Sequence, residues 1–159
     1  MISKTEEYAL RAVVYLAQHN EEGSCRAGDI AESTEIPANY LSKILHQLGR
    51  HRIVDSERGR HGGFQLARPA AEISLADVIE PFGSLTDRGR CLLGRRECSD
   101  ESPCGAHERW KEVRAATVAF FAGTTIADVM GTGTALYGPH LRGRGARGSG
   151  SNPKVGEVA

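Results

Sequence analysis

The stretch ANYLSKILHQLGRHRIVDSERGRHGGFQL, residues 38 to 66, joins a helical repeat to a hairpin pattern. Four apolar residues recur at i, i+3, i+4 and i+7, namely Leu41, Ile44, Leu45 and Leu48. This spacing predicts an amphipathic helix from about Ala38 to Arg50. The segments Ile53–Ser56 and Phe64–Leu66 predict two short strands. The basic loop between them contains three glycines, which permit positive φ angles and close backbone approach.

Two further helices are predicted before this stretch. Ser3 and Glu6 fit a capping box at the start of a helix that runs to about Gln18. A short helix from about Ala27 to Thr34 follows, and a turn at residues 35–37 leads into the next helix. Helix, turn, helix and a strand–basic loop–strand unit form the outline of a winged helix-turn-helix. The expected fold is therefore mainly α with a small β-hairpin wing.

This outline predicts a surface that suits double-stranded DNA. A helix about 10–12 Å across fits the major groove, where the base edges differ in their donors and acceptors. Arg58 and Arg60 in the wing suit phosphates or a narrow minor groove, and Tyr40 suits either packing or a phosphate contact. The candidate DNA-binding residues are Asn39, Tyr40, Ser42, Lys43, Gln47, Arg58, Arg60, His61 and Gly62. A winged helix that contacts protein instead is the alternative.

The distribution of charge agrees with this interpretation. The chain has 20 basic and 20 acidic residues, so its formal net charge is zero. Residues 37–70, however, hold six basic and two acidic side chains (net +4), whereas residues 1–36 hold three and seven (net −4). A basic segment within an acidic body indicates a surface that faces a polyanion, although a solvated charged face has the same pattern.

The later part of the chain is predicted to hold three helical elements and a tail. Ser74 is the predicted cap of a helix Leu75–Phe82, and residues 83–102 form a polar loop. The longest later helix is expected from Pro103 to about Ala122, with Trp110, Val113, Thr117, Phe120 and Phe121 along one side. A short helical turn is expected at Thr125–Met130. The glycine-rich residues 131–159 predict a disordered tail.

Three of the four cysteines lie in CLLGRRECSDESPCGAH, residues 91 to 107, with the spacing C-x6-C-x5-C-x2-H. No apolar run approaches the roughly 20 residues of a membrane span, and the first residues lack a secretory signal pattern. We therefore expect a cytoplasmic protein, in which thiols serve metals or redox chemistry more often than structural disulfides. The spacing leaves an iron–sulfur cluster, a zinc ion and redox thiols open. The isolated Cys25 is expected to be a half-buried structural residue.

Several motifs together resemble the Rrf-type winged helix-turn-helix transcription regulators, which include IscR-like and NsrR-like members. They are Glu7-Tyr8-Ala9-Leu10-Arg11, Asp29-Ile30-Ala31, Tyr40-Leu41-x-Lys43-Ile44-Leu45, Arg58-Gly59-x-x-Gly62-Gly63-Phe64-x-Leu66-Ala67, Ile73-Ser74-Leu75-x-Asp77-Val78-Ile79 and the cysteine triplet. The resemblance covers Met1–Met130 and does not extend into the tail. It implies a homodimeric regulator of promoter DNA, most simply a repressor, whose long helix crosses to the partner subunit.

The resemblance also implies a cofactor and its ligands. Cys91, Cys98 and Cys104 would hold a [2Fe–2S] or [4Fe–4S] cluster that senses redox state, nitric oxide or iron–sulfur status. The fourth ligand would be His107, as in IscR-like members, or Glu7 of the partner subunit, as in NsrR-like members. We favour His107, since imidazole binds iron well. The first spacing, x6, is longer than in IscR-like members and leaves the cluster type open.

The implied organisation has four parts. Residues 1–82 form the DNA-binding domain, residues 83–104 the cluster-binding loop, residues 103–130 the dimerisation helix with its C-terminal turn, and residues 131–159 the tail. An enzyme is not expected, because no catalytic triad spacing or H-E-x-x-H motif occurs, and the G-x-G-x-x-G match at residues 143–148 follows no predicted strand. Neither a small-molecule substrate nor a membrane is expected as a partner. The alternative function is a zinc-stabilised or cluster-free interaction module, including a thiol redox sensor.

Overall fold

The computed structural model describes residues 2–59, 62–83, 91–95 and 98–130. It confirms a mainly helical fold with one two-stranded antiparallel hairpin. The α-helices and strands, in chain order, are α1 Lys4–Gln18, α2 Ala27–Thr34, α3 Ala38–Arg50, β1 Val54–Glu57, β2 Gly63–Leu66, α4 Leu75–Ile79, α5 His107–Gly123 and α6 Ile126–Met130. Short 3-10 turns lie at Asn20–Glu22, Ala70–Glu72 and Glu80–Phe82. Within these ranges, no helix combines the length and apolar character needed to cross a bilayer.

Helix α1 lies at the centre of the fold. The predicted capping box is present: the Glu6 N–H donates to Ser3 Oγ at 3.4 Å, and the Ser3 N–H donates to a Glu6 carboxylate oxygen at 2.5 Å. Apolar residues on several sides of the helix are buried, including Ala9, Ala12, Val13, Val14, Tyr15 and Leu16. Helix α1 contacts α2, α3, α4, α6 and β2, so it is the support on which the other elements are arranged.

Helices α2 and α3 have the bounds that the sequence predicts. Glu35 ends α2 in the left-handed conformation, with φ of 53°, and Pro37 precedes the first turn of α3. The four apolar residues of the α3 repeat are all buried, whereas most of its polar residues face solvent. The helix-turn-helix outline therefore forms as expected, with the polar side of α3 uncovered.

The wing pairs Val54 with Leu66 and Glu57 with Gly63. A further pair of hydrogen bonds joins Cys25 to Phe64, with N–O distances of 2.8 and 2.7 Å. A Cβ atom on Gly63 would overlap the Cys25 backbone, so the close approach requires glycine at this position. The buried Cys25 thus fixes the base of the wing to the connection between α1 and α2.

Two later boundaries differ from the prediction. Helix α4 starts at a capping box between Ser74 and Asp77, as expected, but the α-helix ends at Ile79 and continues as a 3-10 turn through Phe82. Pro81 explains the change, because it has no N–H for an α-helical hydrogen bond. Helix α5 begins at His107 instead of Pro103, after a turn in which the His107 N–H donates to the Cys104 carbonyl at 3.0 Å.

The chain after α5 returns to the helical body. The Leu75 N–H donates to the Thr124 carbonyl at 2.9 Å, and the Ile126 N–H donates to the Ile73 carbonyl at 2.8 Å. Ile126 is fully buried, and α6 packs against α1. The predicted tail, residues 131–159, lies outside the described residues.

Candidate metal centre and nucleic-acid interface

The uncovered side of α3 presents four of the predicted DNA-binding residues. Asn39, Ser42 and Lys43 are exposed, and Tyr40 is 54% exposed. The Tyr40 ring also makes an edge-to-face contact with Tyr8 of α1, with ring centroids 6.5 Å apart. Tyr40 therefore contacts α1 through its ring, while about half of the residue remains accessible to a ligand.

Gln47 differs from the expectation of a freely exposed side chain. It is half-buried, and its Nε2 donates to the Pro81 carbonyl at 3.2 Å. Gln47 follows Ile44 by three residues, so it lies at the edge of the buried stripe and not on the outer face. The side chain links α3 to the turn that leads toward the cysteine loop, and it is not free to read bases in this arrangement.

The wing loop carries Arg58, which is exposed, and Gly59, which has a positive φ of 118°. Gly62 is half-buried and lies so close to the backbone of Glu57 and Arg58 that a side chain would not fit. Arg60 and His61, also predicted to bind DNA, lie outside the described residues. Arg58 and the polar side of α3 are thus the described parts of the candidate nucleic-acid interface.

The three clustered cysteines lie close together. All are free thiols; Cys91 is 7% exposed, and Cys98 and Cys104 are partly exposed. The Cys91 and Cys98 side chains share a hydrogen bond. A hydrogen bond from the Leu93 backbone lowers the pKa of the Cys91 thiol, whereas desolvation, followed by the charges of its neighbouring thiols, raises the pKa of Cys98. The loop therefore brings the other two thiols near Cys98.

His107 joins this group of thiols. Its side chain is almost fully buried, and its Nδ1 lies 3.3 Å from Cys98 Sγ. Its Nε2 lies 2.7 Å from Asp100 Oδ1. Helix α5 starts at His107, so the imidazole extends from the first turn of this helix toward Cys98 in the preceding loop.

Sequence reasoning missed Asp100 and Lys111. Lys111 Nζ lies 2.7 Å from the same Asp100 oxygen that faces His107. Hydrogen bonds from Lys111 and then His107 lower the pKa of Asp100 to about 2, and the Asp100 carboxylate raises the pKa of Lys111. Lys111 follows His107 by four residues on α5, so the i, i+4 spacing was the available signal.

Glu7, the alternative fourth ligand, has partners on its own helix. Lys4 Nζ lies 2.9 Å from Glu7 Oε1, and Arg11 lies 3.4 Å from the same oxygen. Both spacings are those of ordinary helix-surface ion pairs. The Glu7 carboxylate is thus balanced by two cations within the subunit.

Helix α5 leaves apolar side chains uncovered within one subunit. Val113 is 53% exposed and Phe120 is 57% exposed, and Thr117 between them is exposed as well. Trp110 and Phe121, also predicted for this stripe, are half-buried. His107 is the single buried residue of the 17 in α5. Such a helix buries little of its own surface and leaves an apolar side exposed.

The donor set fits an iron–sulfur cluster. Thiolates are the usual ligands of such clusters, and imidazole replaces a thiolate in some of them. None of the three cysteines is in a disulfide, and His107 Nδ1 lies 3.3 Å from Cys98 Sγ. The same set of sulfur and nitrogen donors also fits zinc.

Comparison with known proteins gives consistent matches. A family model described as "Rrf2: Iron-dependent Transcriptional regulator" matches residues 2–132. A protein of Aquifex aeolicus, provisionally named an HTH-type transcriptional regulator, is 37% identical over 132 residues, which are 82% of this chain and 91% of that protein. HTH-type transcriptional regulator IscR of Serratia proteamaculans is 30% identical over 123 residues, or 77% of this chain and 74% of that protein.

Solved structures show the same fold. T. potens IscR aligns with a TM-score of 0.66 and 25% identity over 82% of this chain and 85% of that chain. Staphylococcus aureus CymR aligns with a TM-score of 0.67 and 25% identity over 83% of this chain and 99% of that chain.

Proposed function

The chain belongs to the Rrf2 family of transcriptional regulators, and from this premise we propose that an iron–sulfur cluster held by Cys91, Cys98, Cys104 and His107 controls its affinity for promoter DNA. The observation that carries the proposal is the approach of His107 Nδ1 to Cys98 Sγ at 3.3 Å, beside a second thiol that is hydrogen-bonded to Cys98. When bound, the cluster would supply redox and nitric oxide chemistry that amino-acid side chains lack.

We favour His107 over Glu7 of the partner subunit as the fourth ligand. His107 already faces a thiol, whereas the Glu7 carboxylate is neutralised by Lys4 and Arg11. A carboxylate that ligates iron would have to give up part of these two ion pairs. The family resemblance alone permits either ligand, and the side-chain contacts of this chain support the histidine.

We assign the output to residues 1–82 and the subunit contact to residues 103–130. Lys43 and Arg58 would grip phosphates, and Asn39 and Ser42 would read base edges in the major groove. The uncovered apolar side of α5 would pack against the same helix of a second copy in the cytoplasm. A homodimer would place two α3 helices on two half-sites of promoter DNA.

Anaerobic purification tests the cluster. We expect brown protein with visible absorption and acid-labile sulfide. Duplexes that the protein selects from a random DNA pool then serve as ligands, and we expect cluster-loaded and cluster-free protein to bind them with different affinities. Cys98→Ala should abolish cluster loading because it removes the thiol that faces His107. Cys25→Ala is the matched control, since Cys25 is buried beneath the wing and should leave loading intact. Colourless wild-type protein that contains stoichiometric zinc would contradict the cluster while leaving DNA binding standing.

A cluster-free thiol switch is the second candidate. The pKa of Cys91 is lowered, and its side chain is hydrogen-bonded to Cys98. Both features favour attack of the Cys91 thiolate on Cys98 once an oxidant has oxidised the Cys98 thiol. Protein that lacks labile sulfide but forms a reversible Cys91–Cys98 disulfide on oxidation, with altered DNA affinity, would favour this function over the cluster.

A further inference from the structure

We propose that Asp100 is a positioning residue for His107, holding the imidazole in the tautomer and orientation that offer Nδ1 to the cysteine site. The inference rests on the proposed function for the effect of Asp100 on a cluster, whereas the orientation of His107 is argued from side-chain geometry alone. Asp100 lies in the loop between Cys98 and Cys104, two residues after Cys98. It therefore joins the loop that carries the thiols to the helix that carries the imidazole.

The tautomer follows from the chemistry of the two contacts. An ionised carboxylate only accepts hydrogen bonds, so Nε2 of His107, 2.7 Å from Asp100 Oδ1, must carry the proton. In a neutral imidazole the other nitrogen then has its lone pair free. That nitrogen is Nδ1, which lies 3.3 Å from Cys98 Sγ. The carboxylate thus directs the electron pair of the imidazole toward the sulfur ligands.

Lys111 holds the carboxylate in place. Its Nζ donates to the same Asp100 Oδ1 at 2.7 Å, and the Asp100 side chain is 72% exposed. An exposed carboxylate on a loop would otherwise change rotamer freely, and an isolated surface ion pair contributes little energy. Here the ion pair fixes the position of the Asp100 carboxylate, because Lys111 and His107 lie one turn apart on α5 and bind the same oxygen.

A carboxylate behind a histidine ligand has a known effect on metal sites. It fixes the ring, raises the basicity of the ligating nitrogen, and its removal typically lowers metal affinity about 10–100-fold. We therefore expect Asp100→Ala to weaken retention of the cluster even though Asp100 does not contact it. Glu101→Ala is the matched control, since it removes an adjacent exposed carboxylate of the same charge.

The first experiment uses apo protein, so its result does not depend on a cluster. Long-range 1H–15N spectra distinguish the two imidazole tautomers. We expect His107 of the wild type and of Glu101→Ala to be protonated at Nε2, and Asp100→Ala to show a mixture. A wild-type ring protonated at Nδ1, or a tautomer that is unchanged in Asp100→Ala, would overturn the inference.

The second experiment measures the rate of cluster loss to a chelator and the cluster's reduction potential. We expect about 10–100-fold faster loss and a shifted potential for Asp100→Ala, and values near wild type for Glu101→Ala. In a His107→Cys background, which supplies a thiolate in place of the imidazole, the Asp100 substitution should have no further effect. An equal effect in both backgrounds would show that Asp100 does not act through His107.

The two experiments separate this inference from the proposed function. If wild-type protein takes up no cluster, the proposed function fails, while the tautomer of His107 in apo protein still supports or overturns the role of Asp100. If the cluster is present but insensitive to Asp100, the inference fails and the proposed function stands.

Discussion

Cysteines at different positions of this chain have different environments, and their neighbours decide what each can do. Cys25 is buried and its backbone pairs with Phe64, whereas Cys98 faces an imidazole and a second thiol. The sequence predicted a structural Cys25, which is buried as that role requires, and a ligand role for Cys98, which stays a prediction. It could not show that Gln47 bonds to Pro81, because Gln47 lies at the edge of a helical stripe, where the apolar period does not decide between burial and exposure.

Lys43 provides a test of the nucleic-acid interface at the scale of one residue. It is exposed on the polar side of α3, so Lys43→Ala should weaken DNA binding and reduce the slope of log affinity against log salt by about 0.9 for each subunit that loses a phosphate contact. Lys43→Arg, which keeps the charge, should retain most of the slope. Titrations at several salt concentrations measure both variants, and an unchanged slope for Lys43→Ala would remove this side chain from the phosphate contacts.

Helices α2 and α3 were predicted with their observed bounds, whereas the end of α4 and the start of α5 were not. Helices α2 and α3 match residue for residue, because the apolar spacing of α3 is regular and Pro37 separates the two helices. Helix α4 is shortened at Pro81, and α5 starts four residues late because Cys104 and its neighbours form a turn instead of a helical start. The contacts of Asp100 with α5 depend on how that turn folds, and spacing alone does not reveal them.

The pH dependence of stability provides a test of how α6 is held. The Asp128 carboxylate accepts hydrogen bonds from Thr125 Oγ1 at 2.7 Å and from the Thr125 N–H at 2.8 Å, and these bonds lower the pKa of Asp128 below 3.8. A carboxyl group whose pKa is lower in the folded state stabilises that state above its unfolded pKa. This contribution is lost as the pH falls through the folded value.

Asp128→Ala should therefore unfold at lower denaturant concentration than wild type near neutral pH, and the difference should shrink as the pH falls below about 4, the ordinary pKa of an aspartate. Urea unfolding of both proteins across this range measures it. Thr125→Ala removes the hydroxyl that donates to Asp128. In this background, the effect of Asp128→Ala on stability should be smaller over the same pH range. A gap between wild type and Asp128→Ala that stays constant down to about pH 2 would contradict the role of the carboxylate.

The helices of this molecule differ in how much of their surface is buried. Helix α1 is surrounded by α2, α3, α4, α6 and β2, whereas most of α5 has solvent on several sides. The sequence predicted the apolar stripe of α5, whereas its use between subunits was implied by the family resemblance and stays a prediction. Within one subunit, Trp110 and Phe121 turn partly toward the body, and Val113 and Phe120 remain outside. The split of the stripe could not be predicted, because it depends on where α5 lies against α4.

Phe120→Glu tests the proposed subunit contact. A carboxylate at the centre of an apolar two-fold contact is buried twice, so we expect at least a 100-fold weaker dimer, or about 2.7 kcal/mol. The subunit itself should stay folded, because Phe120 is 57% exposed and lies outside the core. Sedimentation across a range of concentrations measures the association. Ala115→Glu, an exposed position on another side of α5, should remain dimeric; a dimeric Phe120→Glu protein would contradict the contact.

The pairing of Cys25 with Phe64 has a consequence for how the protein folds. A two-stranded hairpin alone is only marginally stable in water, and here its second strand pairs with a residue 39 positions earlier in the chain (64 minus 25). Closing a loop of that length costs chain entropy, which the two Cys25–Phe64 hydrogen bonds help to offset. The wing is therefore joined to the helical body by backbone pairing as well as by chain connectivity. In the proposed DNA complex, the angle at which the wing meets a double helix would therefore be set by the α1–α2 connection, far from the basic loop itself.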